Sequence, residues 1–154
     1  MPTLIATVGL PRSGKSTICR ELSKELSAPI VNKDSVRIGL HGHVYIPESE
    51  PMVRAITKIM IAALFGAGHE IVIADETHYS RAARDFVADG PWETKFLVVD
   101  TPAETCIQRA TDTQQPWLLK VIPDMVRRYE PLGEDEQKYI GWRENPCPTC
   151  GGYV

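Results

Sequence analysis

A chain of 154 residues with 43% hydrophobic content has the size of one domain, long enough to bury about two-thirds of its unfolded surface. Its formal charge of −3 supplies no global attraction for a polyanion, so a nucleic-acid partner has to be held by a local basic patch. No apolar run reaches transmembrane length and residues 2–8 lack the charged-then-apolar pattern of a secretory leader, so a membrane-spanning protein is excluded and a cytoplasmic one expected.

Residues 3–8 form an apolar run that reads as a buried strand, and Gly9-Leu10-Pro11-Arg12-Ser13-Gly14-Lys15-Ser16-Thr17 follows it directly. A first helix is predicted over 15–26, with Ile18, Cys19, Leu22 and Leu26 on its apolar face. A short strand at 29–32 then delivers Lys33, Asp34 and Arg37 just past its end. Residues 41–51 read as a loop, and 52–66 as a helix that Gly66-Ala67-Gly68 ends. The β-branched run 70–74 predicts a central strand with Asp75 at its C-terminal end. Ser80 is placed to cap a helix through Ala88, which Asp89-Gly90-Pro91 stops. A strand at 95–100 and a helix at 102–109 complete another unit. The polar segment 110–122 has no strand pattern and is a candidate mobile lid, with Pro123 expected in the first turn of a last helix through Tyr129. Strands alternating with helices predict an α/β fold: a mainly parallel sheet of four to five strands, helices on both faces, a helical lid. The domain is expected to span 1–133, with 134–154 a tail that carries a Cys147-x-x-Cys150 knuckle.

The loop matches G-x-x-x-x-G-K-[ST] at every position and lies between a strand and a helix, the context that gives the pattern meaning. Gly9 and Gly14 let successive N–H groups ring a phosphate, with Pro11, Arg12 and Ser13 between them. The helix beginning near Gly14 turns its positive end toward the same anion. Lys15 reaches the β- and γ-phosphates, the Ser16 hydroxyl is placed for Mg²⁺, and Thr17 completes the loop. The ligands expected at the loop are therefore a nucleoside triphosphate and Mg²⁺. Past the second strand, Asp34 either activates an acceptor or merely caps a helix starting at Ser35 or Val36. Arg37 either holds a substrate phosphate or is a surface arginine. Asp75 either supports Mg²⁺ or closes a strand-end turn. Arg81 and Arg84 share a helix face and form either a phosphate clamp or a solvated pair.

These blocks, together with Asn32-Lys33-Asp34-Ser35-Val36-Arg37, Asp75-Glu76-Thr77-His78, Gln108-Arg109 and the run from Ile122-Pro123 to Tyr129-Glu130-Pro131, resemble the phage-type polynucleotide 5′-kinases and their small P-loop kinase relatives over residues 3–132. The resemblance implies ATP with Mg²⁺ as the phosphoryl donor, Asp34 as general base, Arg37 as holder of a substrate phosphate and Arg109 as a nucleotide-side arginine. It places Thr77, His78, Arg81 and Arg84 on the substrate side. Two departures stand out: His78 replaces a frequent asparagine, and between Arg109 and Pro123 there is no arginine, only Lys120, which can act as a point charge.

The acceptor this implies is a nucleic-acid hydroxyl, foremost the 5′-OH of a DNA or RNA end. A hydroxymethylpyrimidine in duplex DNA, a nucleoside or other small-molecule acceptor, and an NTP-binding switch or toxin-like module are the alternatives. Cys147 and Cys150 supply half of a Zn²⁺ site, with His41 and His43 as donors from a separate loop, or else a tail with two thiols. Trp92, Trp117 and Trp142 read as packing residues before stacking platforms. The oligomeric state is not encoded in any pattern of the chain.

Overall fold

The computed structural model describes residues 1–140. Four strands, β1 (Thr3–Val8), β2 (Ile30–Asn32), β3 (Ile71–Asp75) and β4 (Glu93–Val98), form one parallel sheet in the order β2-β3-β1-β4. The helices are α1 (Lys15–Leu26), α2 (Lys33–His41), α3 (Glu50–Gly66), α4 (Arg81–Ala88), α5 (Ala103–Asp112) and α6 (Leu118–Arg128). The apolar runs of the strands are explained by burial on both faces. Leu4, Ala6, Val8, Val72 and Ala74 meet Ile61 of α3 and Val87 of α4 on one side. Ile5 and Ile73 meet Ile18, Cys19 and Leu22 of α1 on the other. Trp92 is core, its indole N–H donating to the Val87 carbonyl, whereas Trp117 is 47% exposed. Among the described residues no helix is long and apolar enough to cross a membrane.

The differences from the sequence reading have physical causes. β4 begins at Glu93 because it pairs residue for residue with β1, from Thr3 opposite Glu93 to Val8 opposite Val98. α2 begins at Lys33, directly on β2, because the Asn32 side chain accepts from the Ser35 backbone N–H at 2.8 Å; Asp34 is inside the helix and does not cap it. Within the segment read as a helical lid, α5 runs on to Asp112 instead of ending at Arg109, and α6 starts at Leu118 instead of near Pro123. Pro123 lies within α6 rather than in its first turn, and Ile122, fully buried against Cys106 and Ala110, holds that helix in place.

A boundary at 133/134 also cuts through contacts. The Phe96 N–H donates to the Gln137 carbonyl and the Tyr139 N–H to the Phe96 carbonyl, so residues 137–139 extend the outer edge of β4. Asp135 and Glu136 hold the side chains of Arg81 and Arg84.

Candidate active site

The ends of β1, β2 and β3 converge at the C-terminal edge of the sheet, where open parallel sheets bind ligands. The turn after β1 is tight. A Cβ on Gly9 would stand 3.0 Å from Ser13 Oγ and 3.1 Å from the Val99 carbonyl, while Gly14 at φ 98° and Arg12 at φ 65° give the loop its curvature. The Thr101 hydroxyl donates to the Ser13 carbonyl at 2.6 Å and fixes the loop from the β4 side. Lys15 is 9% exposed, and its ammonium donates to the Leu10 carbonyl. Burial pushes the Lys15 pKa down to about 8 despite the nearby carboxylate of Asp75.

Asp75, 6% exposed at the end of β3, is the hub between the two sides of the cleft. Its Oδ2 accepts from Ser16 Oγ at 2.7 Å and from Asn32 Nδ2 at 2.8 Å. A hydroxyl and a carboxylate in contact beside a phosphate loop are hard oxygen donors, which fits Mg²⁺ held by one or two protein oxygens together with nucleotide phosphates. Asn32 thus performs two tasks: it caps α2, which carries Asp34, and it steadies Asp75.

On the opposite wall, Asp34 projects from the first turn of α2 with its side chain 70% exposed. Arg37, one turn on, donates from Nη1 to Asp34 Oδ1 at 2.7 Å. Its remaining edge is taken by Glu50 at the start of α3, from Nε to Oε1 at 2.7 Å and from Nη2 to Oε2 at 2.9 Å. Burial works against both charges of the Arg37–Glu50 pair, but their bidentate hydrogen bonding outweighs it, raising the pKa of Arg37 and lowering that of Glu50. Arg37 is therefore not a surface arginine, and its guanidinium is shared between two carboxylates.

The turn from β3 to α4 corrects the substrate-side expectations. The Thr77 carbonyl accepts from the Gly9 N–H at 3.0 Å, which links this turn to the phosphate loop. His78 is 2% exposed at φ 39°, with Nδ1 2.8 Å from the Thr7 carbonyl. Its ring is a wall group, not a side chain reaching into the open cleft. Arg84 is fully buried, held by Glu136 and by the carbonyls of His78 and Pro131. With its hydrogen-bonding edges committed to protein, it does not clamp a phosphate. Arg81 is paired with Asp85 and Asp135. The arginines read as a clamp are instead the ties of α4 to later parts of the chain.

Arg109 of α5 donates to the Arg12 carbonyl at 2.9 Å, so it touches the rim of the donor loop, whereas Lys120 is exposed on α6. Cys147, Cys150 and Trp142 lie outside the described residues. Among those described, no group of three or more His, Cys, Asp or Glu is gathered for a metal, and His41 and His43 stack on each other with ring centroids 6.0 Å apart.

Sequence reasoning missed Glu50 and Glu76. Glu50 lies inside the stretch 41–51 read as a loop, and nothing in its spacing announces that it meets Arg37 thirteen positions earlier. Glu76 stands beside Asp75 in the motif block itself. Its Oε2 is 3.5 Å from Lys33 Nζ and 3.3 Å from His78 Nε2, so the acid after a strand-end aspartate was the available signal.

An AAA domain family model matches residues 4–132. A shikimate kinase of Corynebacterium glutamicum is 26% identical over 157 residues, spanning 94% of this chain and 89% of that protein. The unliganded structure of a sugar kinase from Janibacter sp. HTCC2649 has a TM-score of 0.67 at 22% identity, covering 90% of this chain and 84% of that one. A chain of the Pnkp1/Rnl/Hen1 complex has a TM-score of 0.62 at 30% identity over 70% of this chain; the match spans 39% of that chain.

Proposed function

This chain belongs to the AAA domain family of small P-loop kinases, ATP-using phosphotransferases, and we propose that it moves the γ-phosphoryl group of ATP to a hydroxyl of a nucleic acid, foremost the 5′-OH of an end. The observation that carries this reading is the position of Asp34. Its exposed carboxylate leaves the end of β2 and is fixed 2.7 Å from Arg37. The Asn32–Asp75–Ser16 hydrogen bonds connect that strand end to the donor loop.

In this scheme the backbone N–H groups from Gly9 to Thr17 and the Lys15 ammonium hold the triphosphate. Ser16 and Asp75 supply the oxygens for Mg²⁺, which neutralises charge on the phosphates when bound. Asp34 accepts the proton of the attacking hydroxyl as its oxygen bonds to the γ-phosphorus and the bond to the β–γ bridging oxygen breaks, releasing ADP. Arg37 orients Asp34, and Arg109 steadies the loop through Arg12. Because the transition state is loose, positioning by Arg37 and Asn32 matters more than the basicity of Asp34. The nucleic-acid acceptor is supported by the motif blocks and by the 30% identity to a chain of the Pnkp1/Rnl/Hen1 complex. A small hydroxylated acceptor is the second reading, favoured by Arg37, Arg81 and Arg84 all being engaged by carboxylates.

The test is transfer of labelled phosphate from ATP to a 5′-OH oligonucleotide, a hydroxymethylpyrimidine duplex and a panel of nucleosides and sugars. Label is expected on the oligonucleotide, and label confined to a nucleoside or sugar would select the second reading. Asp34→Asn should bind ATP normally and lose about 100-fold or more in kcat. Normal turnover in that variant would remove Asp34 from the mechanism.

A further inference from the structure

Behind the cleft, between α3, α4 and the β3–α4 turn, lies a cavity of about 30 Å³ lined by Lys33, Arg54, Lys58, Glu76, His78 and Phe86 among others. That is room for about two waters or for the polar tip of a ligand. The tautomer of His78 follows from its partner. A carbonyl can only accept, so the Nδ1 facing Thr7 carries the proton and Nε2 presents a lone pair. Burial lowers the pKa of His78, so the ring stays neutral although Glu76 opposes the shift. Nε2 is buried and has no hydrogen-bond partner. Its nearest charged neighbour is Glu76 Oε2 at 3.3 Å, itself an acceptor. Glu76 has Lys33 as its partner, so the acceptor left open is Nε2, and an O–H group approaching it from the cavity would satisfy it. The mouth of the cavity has the opposite character: Lys33 is 3.5 Å from Glu76, Lys58 reaches Asp89 at 3.2 Å over the Phe86 ring, and the exposed guanidinium of Arg54 has no ion-pair partner among the described residues.

We propose that this cavity is an acceptor subsite for a hydroxyl standing next to an anionic group, the hydroxyl donating its one proton to His78 Nε2 and the anion meeting Arg54. The link to catalysis rests on the transfer reading above, through Lys33, the neighbour of Asp34. Two sources carry this chemistry: the 2′-OH and 3′-phosphodiester of an RNA end, or a small polyhydroxy carboxylate.

The experiment follows the ¹⁵N resonance of His78 Nε2 while the full chain is titrated with a 5′-OH RNA trinucleotide, the DNA trinucleotide of the same sequence, gluconate, and its neutral alcohol glucitol. The subsite requires that RNA or gluconate move the resonance and its matched control not, and that Arg54→Met weaken the effective ligand by about tenfold. Whichever ligand acts identifies the source. A silent resonance, or equal movement by DNA and RNA and by glucitol and gluconate, overturns the subsite. Phosphoryl transfer to the same compounds separates the two proposals. Transfer with a silent resonance keeps the kinase acceptor reading and discards the subsite; a moving resonance with no transfer to any of them does the reverse.

Discussion

Lys15 sits where one residue's surroundings decide both affinity and stability. Burial brings its pKa from 10.5 to about 8, with Asp75 the main opposing influence. Between those two values the unfolded chain binds the proton and the folded chain does not, so this group makes the fold more stable as pH rises through that window. Nucleotide binding has the opposite sign. A triphosphate needs the charged ammonium, so above pH 8 the free protein must take up a proton to bind, and affinity falls by up to about tenfold per pH unit. Titration calorimetry with ATP at pH 7 and at pH 9 is expected to show weaker binding at the higher value. Lys15→Arg, which keeps its charge, should flatten the dependence. Wild-type affinity that is the same at both values would mean that burial does not reach the Lys15 proton.

At the scale of elements, what was legible in the sequence was whatever local chemistry determines. The helix 15–26, the capping role of Ser80, realised as its Oγ accepting from the Ala83 N–H, and the strand ending at Asp75 all follow from periodicity and cap residues. The donor loop follows from its spacing. What was not legible depends on residues far apart in the chain: the Glu50–Arg37 pair, the inward turn of Arg84, and the register that pulls β4 two residues earlier. α6 is the sharpest case. Pro123 costs an internal helix about 3 kcal/mol and removes a backbone donor. Tertiary burial of Ile122 on Cys106 and Ala110 nonetheless keeps 118–128 helical. Leu10 of the donor loop packs against the same cluster, so α5 and α6 are tied to the loop they flank. Ile122→Ala is expected to destabilise by about 2–5 kcal/mol. By hydrogen exchange, amides of 103–128 should lose protection ahead of those in β1 and β3. Equal loss in sheet and helices would mean that the three clusters form one cooperative unit.

Across the whole molecule, Arg84 joins parts that the chain order keeps apart. It is fully buried on α4, and its guanidinium takes Glu136 on one side and the carbonyls of His78 and Pro131 on the other. The β3–α4 turn beside the cleft and the strip at 131–139 along β4 are thereby fixed to one another. A buried pair of this kind adds little over a well-packed apolar pair, yet removing one partner strands the other charge away from water. Glu136 has a side chain only 6% exposed and would keep the Gly133 N–H at 2.8 Å and the Arg81 guanidinium at 3.8 Å, so Arg84→Met should cost about 3 kcal/mol, the low end for a broken buried pair. For a chain of this length that lowers Tm by roughly 10 °C. Arg84→Met combined with Glu136→Met should recover part of the loss, because the underpaired carboxylate is gone while the Gly133 N–H and the His78 and Pro131 carbonyls lose their partners; the coupling read from thermal unfolding of both single variants and the double is the measurement. Strict additivity would mean that Arg84 stabilises the chain through its carbonyl contacts alone. ATP affinity should be unchanged in the folded double variant, since neither residue touches the donor loop.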